Sequence, residues 1–296
     1  SLFAAGEVPG FIHLSIGQEA TAVGVASALR PDDTIASTHR GHGHALAKGM
    51  ALTPFFLELL GKGEGLCGGR GGSMHVADTS IGMLGANGIV GAGLPIALGS
   101  ALAHGVRRDG AIAVVFFGDG AAAEGVLHET LNMAALWRLP LLLVCENNGW
   151  SEFSPTSRQL AGTLRGFAAA FGIGFETVDG DDVEAVHAAA SRIVDAVRGG
   201  GGPRFLECTT HRVHGHYEGD PQKYRDPGEL QGLTAHDPIA RCARRLAELG
   251  VGSDLLGEIA QRVEAQIEAA VAAARQASPP AFDAARADVY ATDGGR

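Results

Sequence analysis

The chain has 296 residues, 46% of them apolar and 6% aromatic, with 44 glycines and a formal net charge of −10. That length can bury a full core as one large domain or two modest ones. The acidic balance excludes a general nucleic-acid binder, which needs a basic face to neutralise phosphates. In chain order, GQEATAVGVASALRPDD (17–33) has helical apolar spacing and stops at Pro31, and DTIASTHRGHGHALAKG (33–49) reads as a short strand, a polar turn and a helix. Segment 61–93 is dense in glycine and reads as loop that approaches something closely. Then come a small-residue helix, LPIALGSALAHGVRR (94–108), a buried strand, AIAVVFFGD (111–119), a helix, AEGVLHETLNMAALW (123–137), and a second apolar strand, LPLLLVCEN (139–147). Segment 174–200 repeats the strand–turn–helix order, and PRFLECTTHRVHGH (203–216) supplies a strand running into a polar loop. From about 234 onward the chain reads as helical, up to Pro279-Pro280. Strands alternating with helices predict an α/β fold, a doubly wound parallel sheet with helices on both faces over 1–233, and a helical C-terminal extension over 234–296 packed on it.

Cys67, Cys145, Cys208 and Cys242 form no CxxC pair, and Cys145 lies within an apolar run. Core filler in a reduced, cytoplasmic protein is the expectation. No apolar stretch reaches the length of a membrane span, and the opening SLFAAGEVPG lacks the order of a signal peptide. No nucleic-acid or membrane partner is expected.

The strand at 111–119 ends in Gly118-Asp119-Gly120, and the strand at 139–147 ends in Asn147-Asn148. In a right-handed βαβ unit two such strands are parallel neighbours, so Asp119 and Asn148 come to the same sheet edge, where open α/β sheets bind ligands. A carboxylate and a carboxamide oxygen suit Mg²⁺, which completes its shell with phosphate and water. Gly118 and Gly120 permit close backbone approach, and the N–H groups of Gly120 and Ala121 begin a helix whose positive end favours phosphate. The arrangement reads as a Mg²⁺–diphosphate clamp. A GDG alone would be plain turn chemistry; the strand-GDG-helix-strand-NN order is what carries the reading.

That order resembles the thiamine-diphosphate-binding motif. More closely, the chain resembles the α subunit of the decarboxylating component of 2-oxo acid dehydrogenase complexes, a family that includes pyruvate, branched-chain and acetoin dehydrogenases. HLSIGQEATAVGVASAL, HRGHGHALAKG, GGRGGSMHVAD, GANGIVGAGLPIALG, the GDG-to-NN stretch, HRVHGH and the terminal DVYA fall in the family's order. The resemblance implies that Asp119, Asn148 and the Trp150 carbonyl hold Mg²⁺, Trp150 standing where the family often has Tyr. It implies that Arg40 pairs with the cofactor diphosphate, with His39 beside it where Tyr is frequent, and that Gly88 and Val90 hold the aminopyrimidine ring. It gives His216 a role at the cofactor and in acyl transfer, with His214 supporting it. Tyr217 stands where regulated members carry a phosphorylated serine, so that switch is expected to be absent. Gln18 and Glu19 flank the substrate channel, or form a helix-start hydrogen-bond pair.

Thiamine diphosphate works as an electron sink that the protein positions. The family's activating glutamate sits on another domain, and residues 1–233 leave no room for one. The resemblance therefore implies a β subunit supplying it, an α2β2 heterotetramer, and a lipoyl acyltransferase as third component. The implied reaction is cleavage of the C–C bond next to a carbonyl and transfer of the acyl group to lipoamide, with pyruvate and acetoin as leading substrates. The GDG, where branched-chain members tend to carry GEG, points away from branched-chain oxo acids. Two other readings compete. A diverged member could use thiamine diphosphate for another C–C lyase or ligase reaction, and a nicotinamide oxidoreductase on a Rossmann sheet would need a GxGxxG that is not found. Zinc at His39, His42 and His44, or at His211, His214 and His216, fits neither helical HExxH spacing nor nearby cysteines.

Overall fold

The computed structural model describes residues 2–287 and 289. Apart from Val289, the terminal DVYA lies outside the described residues. Six strands run parallel: β1 (Thr34–Ala36), β2 (Met83–Gly85), β3 (Ala113–Gly118), β4 (Leu141–Asn147), β7 (Gly174–Asp179) and β8 (Arg204–Thr209), in the order β2-β1-β3-β4-β8-β7. A small antiparallel hairpin, β5 (Trp150–Ser151) and β6 (Ser154–Pro155), follows β4.

β3 and β4 are almost wholly buried, as central parallel strands covered on both faces must be. Their period-two alternation sorts side chains between two cores. Val114, Phe116, Leu142 and Val144 face one cluster, which α7 (Val183–Ala196) covers with Val186, Ala190 and Val194. Val115, Phe117, Leu143 and Cys145 face the other, under α4 (Gly93–Arg107) and α5 (Gly125–Leu136). α1 (Glu19–Ala26) packs on α7, where a Cβ on Gly24 would lie 2.7 Å from Val186. α6 (Leu164–Ala170) lies on the α4–α5 side through Leu164 and Ala168. The doubly wound arrangement and its helices on both faces follow the sequence expectation.

Two elements depart from it. Inside the glycine-dense segment β2 forms the sheet edge, and just before that segment α3 (Leu52–Leu59) follows α2 (His42–Ala47) with Phe55 and Leu59 in the core. The segment approaches a charge: buried Glu58, on α3, accepts the N–H groups of Cys67 (2.7 Å), Gly69 (2.9 Å), Gly71 (2.7 Å) and Gly72 (3.1 Å). Gly69 to Gly72 thus serve as a wrapping turn.

The C-terminal part holds α8 (Pro227–Gly232), α9 (Pro238–Glu248), α10 (Ser253–Gln276) and α11 (Phe282–Ala287). α9 touches α1, and α10 lies on α3 with Ala274 in a small cluster beside Leu57 and Leu60. Cys145 and Cys208 are buried core residues. No described helix is long and apolar enough to cross a membrane. β2 and β3 flank β1 on opposite sides, so the sheet reverses its winding at β1, and the crevice beyond these strand ends is the expected ligand position.

Candidate active site

β3 and β4 pair with Gly118 opposite Glu146, which carries Asp119 and Asn148 to one place. Asn148 N–H donates to Asp119 Oδ1 at 3.3 Å, and the Thr156 hydroxyl donates to Oδ2. Asp119 is 1% exposed, and burial pushes its carboxyl up to about 6 against the opposing bonds from Thr156 and Asn148. The Asn148 amide donates to Gln18 Oε1 (3.2 Å), while its Oδ1 accepts from Trp150 N–H (3.0 Å). Trp150 is fixed by Nε1 donating to Glu229 (2.9 Å) and by Tyr224, whose ring centre is 5.3 Å away. A Cβ on Gly120 would lie 2.6 Å from Ser151 Oγ, so only glycine lets these loops meet. One expectation is corrected. Gly120 and Ala121 open a 3-10 turn, Asp119–Ala123, that an extended Glu124 separates from α5. Their N–H groups open a short turn rather than mark the end of a long helix dipole.

These loops enclose a cavity of about 340 Å³. Two guanidinium groups form its wall. Buried Arg40 donates to the carbonyls of Leu14 (2.6 Å) and His216 (3.0 Å). Arg212, 2% exposed, donates through Nη2 to Glu152 O (3.1 Å) and Tyr224 Oη (2.9 Å), and its buried Nε has no partner among the described residues. Neither pairs with a carboxylate among the described ion pairs. Burial, and after it Arg212, lowers Arg40 to about 10. Buried cations without a counter-charge are costly, and the cavity they line is suited to an anion.

Opposite them His13, His39 and His216 meet edge-on or tilted, with ring centres 4.6, 4.9 and 5.4 Å apart. Burial, followed by Arg40, pulls His13 down to about 3, His39 to about 2 and His216 to about 4. All three are neutral at pH 7. An unfolded histidine titrates near ~6.5, so below that pH the unfolded chain binds protons the folded chain refuses. The stability tied to these three rings is therefore full above about pH 6.5 and falls as pH drops toward the folded values. Urea unfolding should show a loss of a few kcal/mol between about pH 6.5 and 5 that His39→Asn reduces. A slope unchanged by the substitution would mean that His39 is charged when folded.

Arg40, His39, Gly88, Val90, Asp119, Gly120, Ala121, Asn148, Trp150 and His216 all border this cavity. His214 does not; it is exposed on the loop after β8. Of the other candidates, Gln18 reaches the cavity and bonds Asn148, whereas Glu19 Oε2 accepts Gly17 N–H at 2.9 Å as a helix-start pair. His42 bonds Ser73, and His44 lies between Ser37 (2.8 Å) and Glu146 (3.1 Å), stacked on Phe116. Sequence reasoning missed His13 and Arg212. Arg212 was readable only as a charged residue within an otherwise histidine-rich motif, and nothing local marked His13.

Relatives bear on this geometry. The chain matches the dehydrogenase E1 component family over residues 1–282. The chain belongs to that family. It is 46% identical over 293 residues to the α subunit of an acetoin:2,6-dichlorophenolindophenol oxidoreductase of Cupriavidus necator, covering 97% of this chain and 87% of the relative. It is 45% identical over 291 residues to the Bacillus subtilis protein of the same name, covering 98% and 87%. The pyruvate dehydrogenase E1 component α subunit of Zymomonas mobilis is 41% identical over 283 residues, covering 95% and 80%. This E1 chain is thus of the α-subunit type of thiamine-diphosphate-dependent dehydrogenases, as the motif order implied.

Proposed function

We propose that the chain holds the diphosphate end of thiamine diphosphate through Mg²⁺ and, with a β subunit, takes part in oxidative cleavage of acetoin, with pyruvate the second candidate substrate. The observation that carries this reading is the pairing of two buried guanidinium groups, one with an unpartnered Nε, with the oxygen donors of Asp119 and Asn148 in one cavity. Hard oxygen ligands suit Mg²⁺, and guanidinium suits diphosphate. Asp119, the Asn148 side chain and the Trp150 carbonyl would hold the metal; Arg40, Arg212 and the N–H groups of Gly120 and Ala121 would neutralise the phosphates. Gly88 and Val90 would seat the aminopyrimidine. Bound there, the cofactor supplies a nucleophilic carbon and an electron sink for the acyl fragment. His216, His39 and His13 stay uncharged beside Arg40, so at neutral pH each ring offers one hydrogen-bond donor and one acceptor without adding positive charge. Acetoin is preferred because the two acetoin relatives are more similar than the pyruvate relative.

Ile89 and Val90 are 71% and 50% exposed at the cavity mouth, and Ile96, Leu102 and Val106 continue an apolar face along α4. A β subunit bringing the activating glutamate would cover them, in an α2β2 assembly served by a lipoyl acyltransferase. The test is calorimetry of the α/β assembly with thiamine diphosphate and Mg²⁺, followed by dye reduction with acetoin or pyruvate. Saturable binding and faster turnover of acetoin are expected. Binding of NADH in place of thiamine diphosphate would favour the nicotinamide reading. Arg212→Met should weaken cofactor binding at least about tenfold, roughly 1.4 kcal/mol, without lowering the stability of the free chain. Equal affinity would remove Arg212 from the phosphate wall.

A further inference from the structure

On the far side of the β8 loop, away from the cavity, three residues distant in sequence converge. Asp181, in the turn after β7, accepts His211 Nδ1 at 2.8 Å and His236 Nδ1 at 3.1 Å on the same oxygen, Oδ2. Asp181 is 2% exposed, and its other oxygen, Oδ1, is buried without a partner among the described residues. A carboxylate oxygen left bare in this way is expensive and calls for a cation or a bound water. The three ligand atoms lie within 4.8 Å of one another. Ligands about 2.1 Å from a tetrahedral ion sit about 3.4 Å apart, a few tenths of an ångström beyond the two bonds now present. The imidazole rings lie 3.6 Å centre to centre and 21° from parallel, and fanning them apart about χ2 makes the needed space. The surroundings favour positive charge. Asp179 and Asp182 stand nearby, sharing Arg241 at 2.5 and 2.8 Å, and Glu19 lies within electrostatic reach of Asp181.

We propose that Asp181, His211 and His236 form a second metal site, for a divalent transition ion of the Zn²⁺ class. Two imidazole nitrogens and one carboxylate suit Zn²⁺ or Co²⁺ and not Mg²⁺, which takes oxygen ligands. The ion takes the Nδ1 lone pair of each neutral ring, whose proton then sits on Nε2, and water fills the remaining positions. Its position gives it a structural consequence: His211 precedes Arg212 on the loop that carries His216, so the ion ties that loop to the end of β7 and to the turn before α9.

The test uses Co²⁺ alone, added to the full chain without Mg²⁺ or thiamine diphosphate and followed by its visible absorption bands, with Zn²⁺ competing. One bound Co²⁺ per chain is expected. Its affinity should fall at least about tenfold in His236→Ala and in Asp181→Asn, and stay unchanged in His216→Ala. His236 is largely exposed, so His236→Ala keeps the test alive even where Asp181→Asn fails to fold. Absence of a Co²⁺ signal overturns the proposal. So does binding lost in His216→Ala but kept in His236→Ala, because the other convergent cluster, His13, His39 and His216, would then be the binder. Loss of thiamine diphosphate binding has no bearing on either arm, so the two sites fail independently.

Discussion

Asp119→Asn should cost at least about a hundredfold in Mg²⁺-dependent thiamine diphosphate affinity, about 3 kcal/mol, while the free chain unfolds at the same temperature or higher. The two halves have one cause. Burial has lifted the Asp119 carboxyl to about 6, so ionisation at neutral pH costs the folded state. With a folded value above the unfolded one, that stability is complete only below the unfolded value, near pH 4, and is lost as pH rises through about 6. An asparagine in its place accepts from Asn148 N–H through its one oxygen and donates its amide to the Thr156 hydroxyl oxygen, without bearing charge. A bound divalent cation removes the cost and restores the carboxylate as the better group. A residue that harms the empty protein and serves the loaded one is the mark of a site kept for binding. Calorimetry and thermal unfolding of the same variant check both halves. Unchanged affinity would reject the clamp, and a large drop in free-chain stability would make Asp119 a structural residue.

Glu58→Leu should destabilise the chain by more than about 3 kcal/mol. The fully buried carboxylate is the acceptor for four backbone N–H groups of the glycine-rich turn, and a leucine leaves all four dry and unbonded. Each such donor costs about 1–3 kcal/mol. Glu58→Gln should fall between, since its NH₂ would face two of the donors. The damage should spread to the site, because Met74 lines the cavity and His75, which bonds Gly71 O at 3.1 Å, reaches Gly88 N–H at 3.4 Å. Urea unfolding with parallel cofactor titration measures both effects. A loss under about 1 kcal/mol in Glu58→Leu would mean that the turn holds itself.

The strongest signals in the sequence were those set by physics acting over short stretches. The apolar runs of β3 and β4 announce buried parallel strands, and their polar ends announce the sheet edge, so the meeting of Asp119 with Asn148 was legible. β2 was not, because three residues between glycines show no period. Glu58 looked like any charge on a helix; only the folded chain reveals the N–H groups turned toward it. The side of its loop on which His214 lies was hidden for a related reason. Loop residues follow no alternation rule, so nothing in HRVHGH tells that Arg212 and His216 border the cavity while His214 does not. His13, whose buried Nδ1 has no partner among the described residues, lies in an irregular stretch before α1 and was invisible for the same cause.

The loop that follows β8 is already held by its own contacts. Asp220 accepts the His216 N–H at 2.7 Å and the Tyr224 hydroxyl at 2.5 Å, Arg225 donates to the Arg212 carbonyl at 2.7 Å, and Tyr217 packs on Phe11. A segment fastened before any guest arrives gives up little chain freedom on capture, so the free energy of docking is not diverted into ordering it.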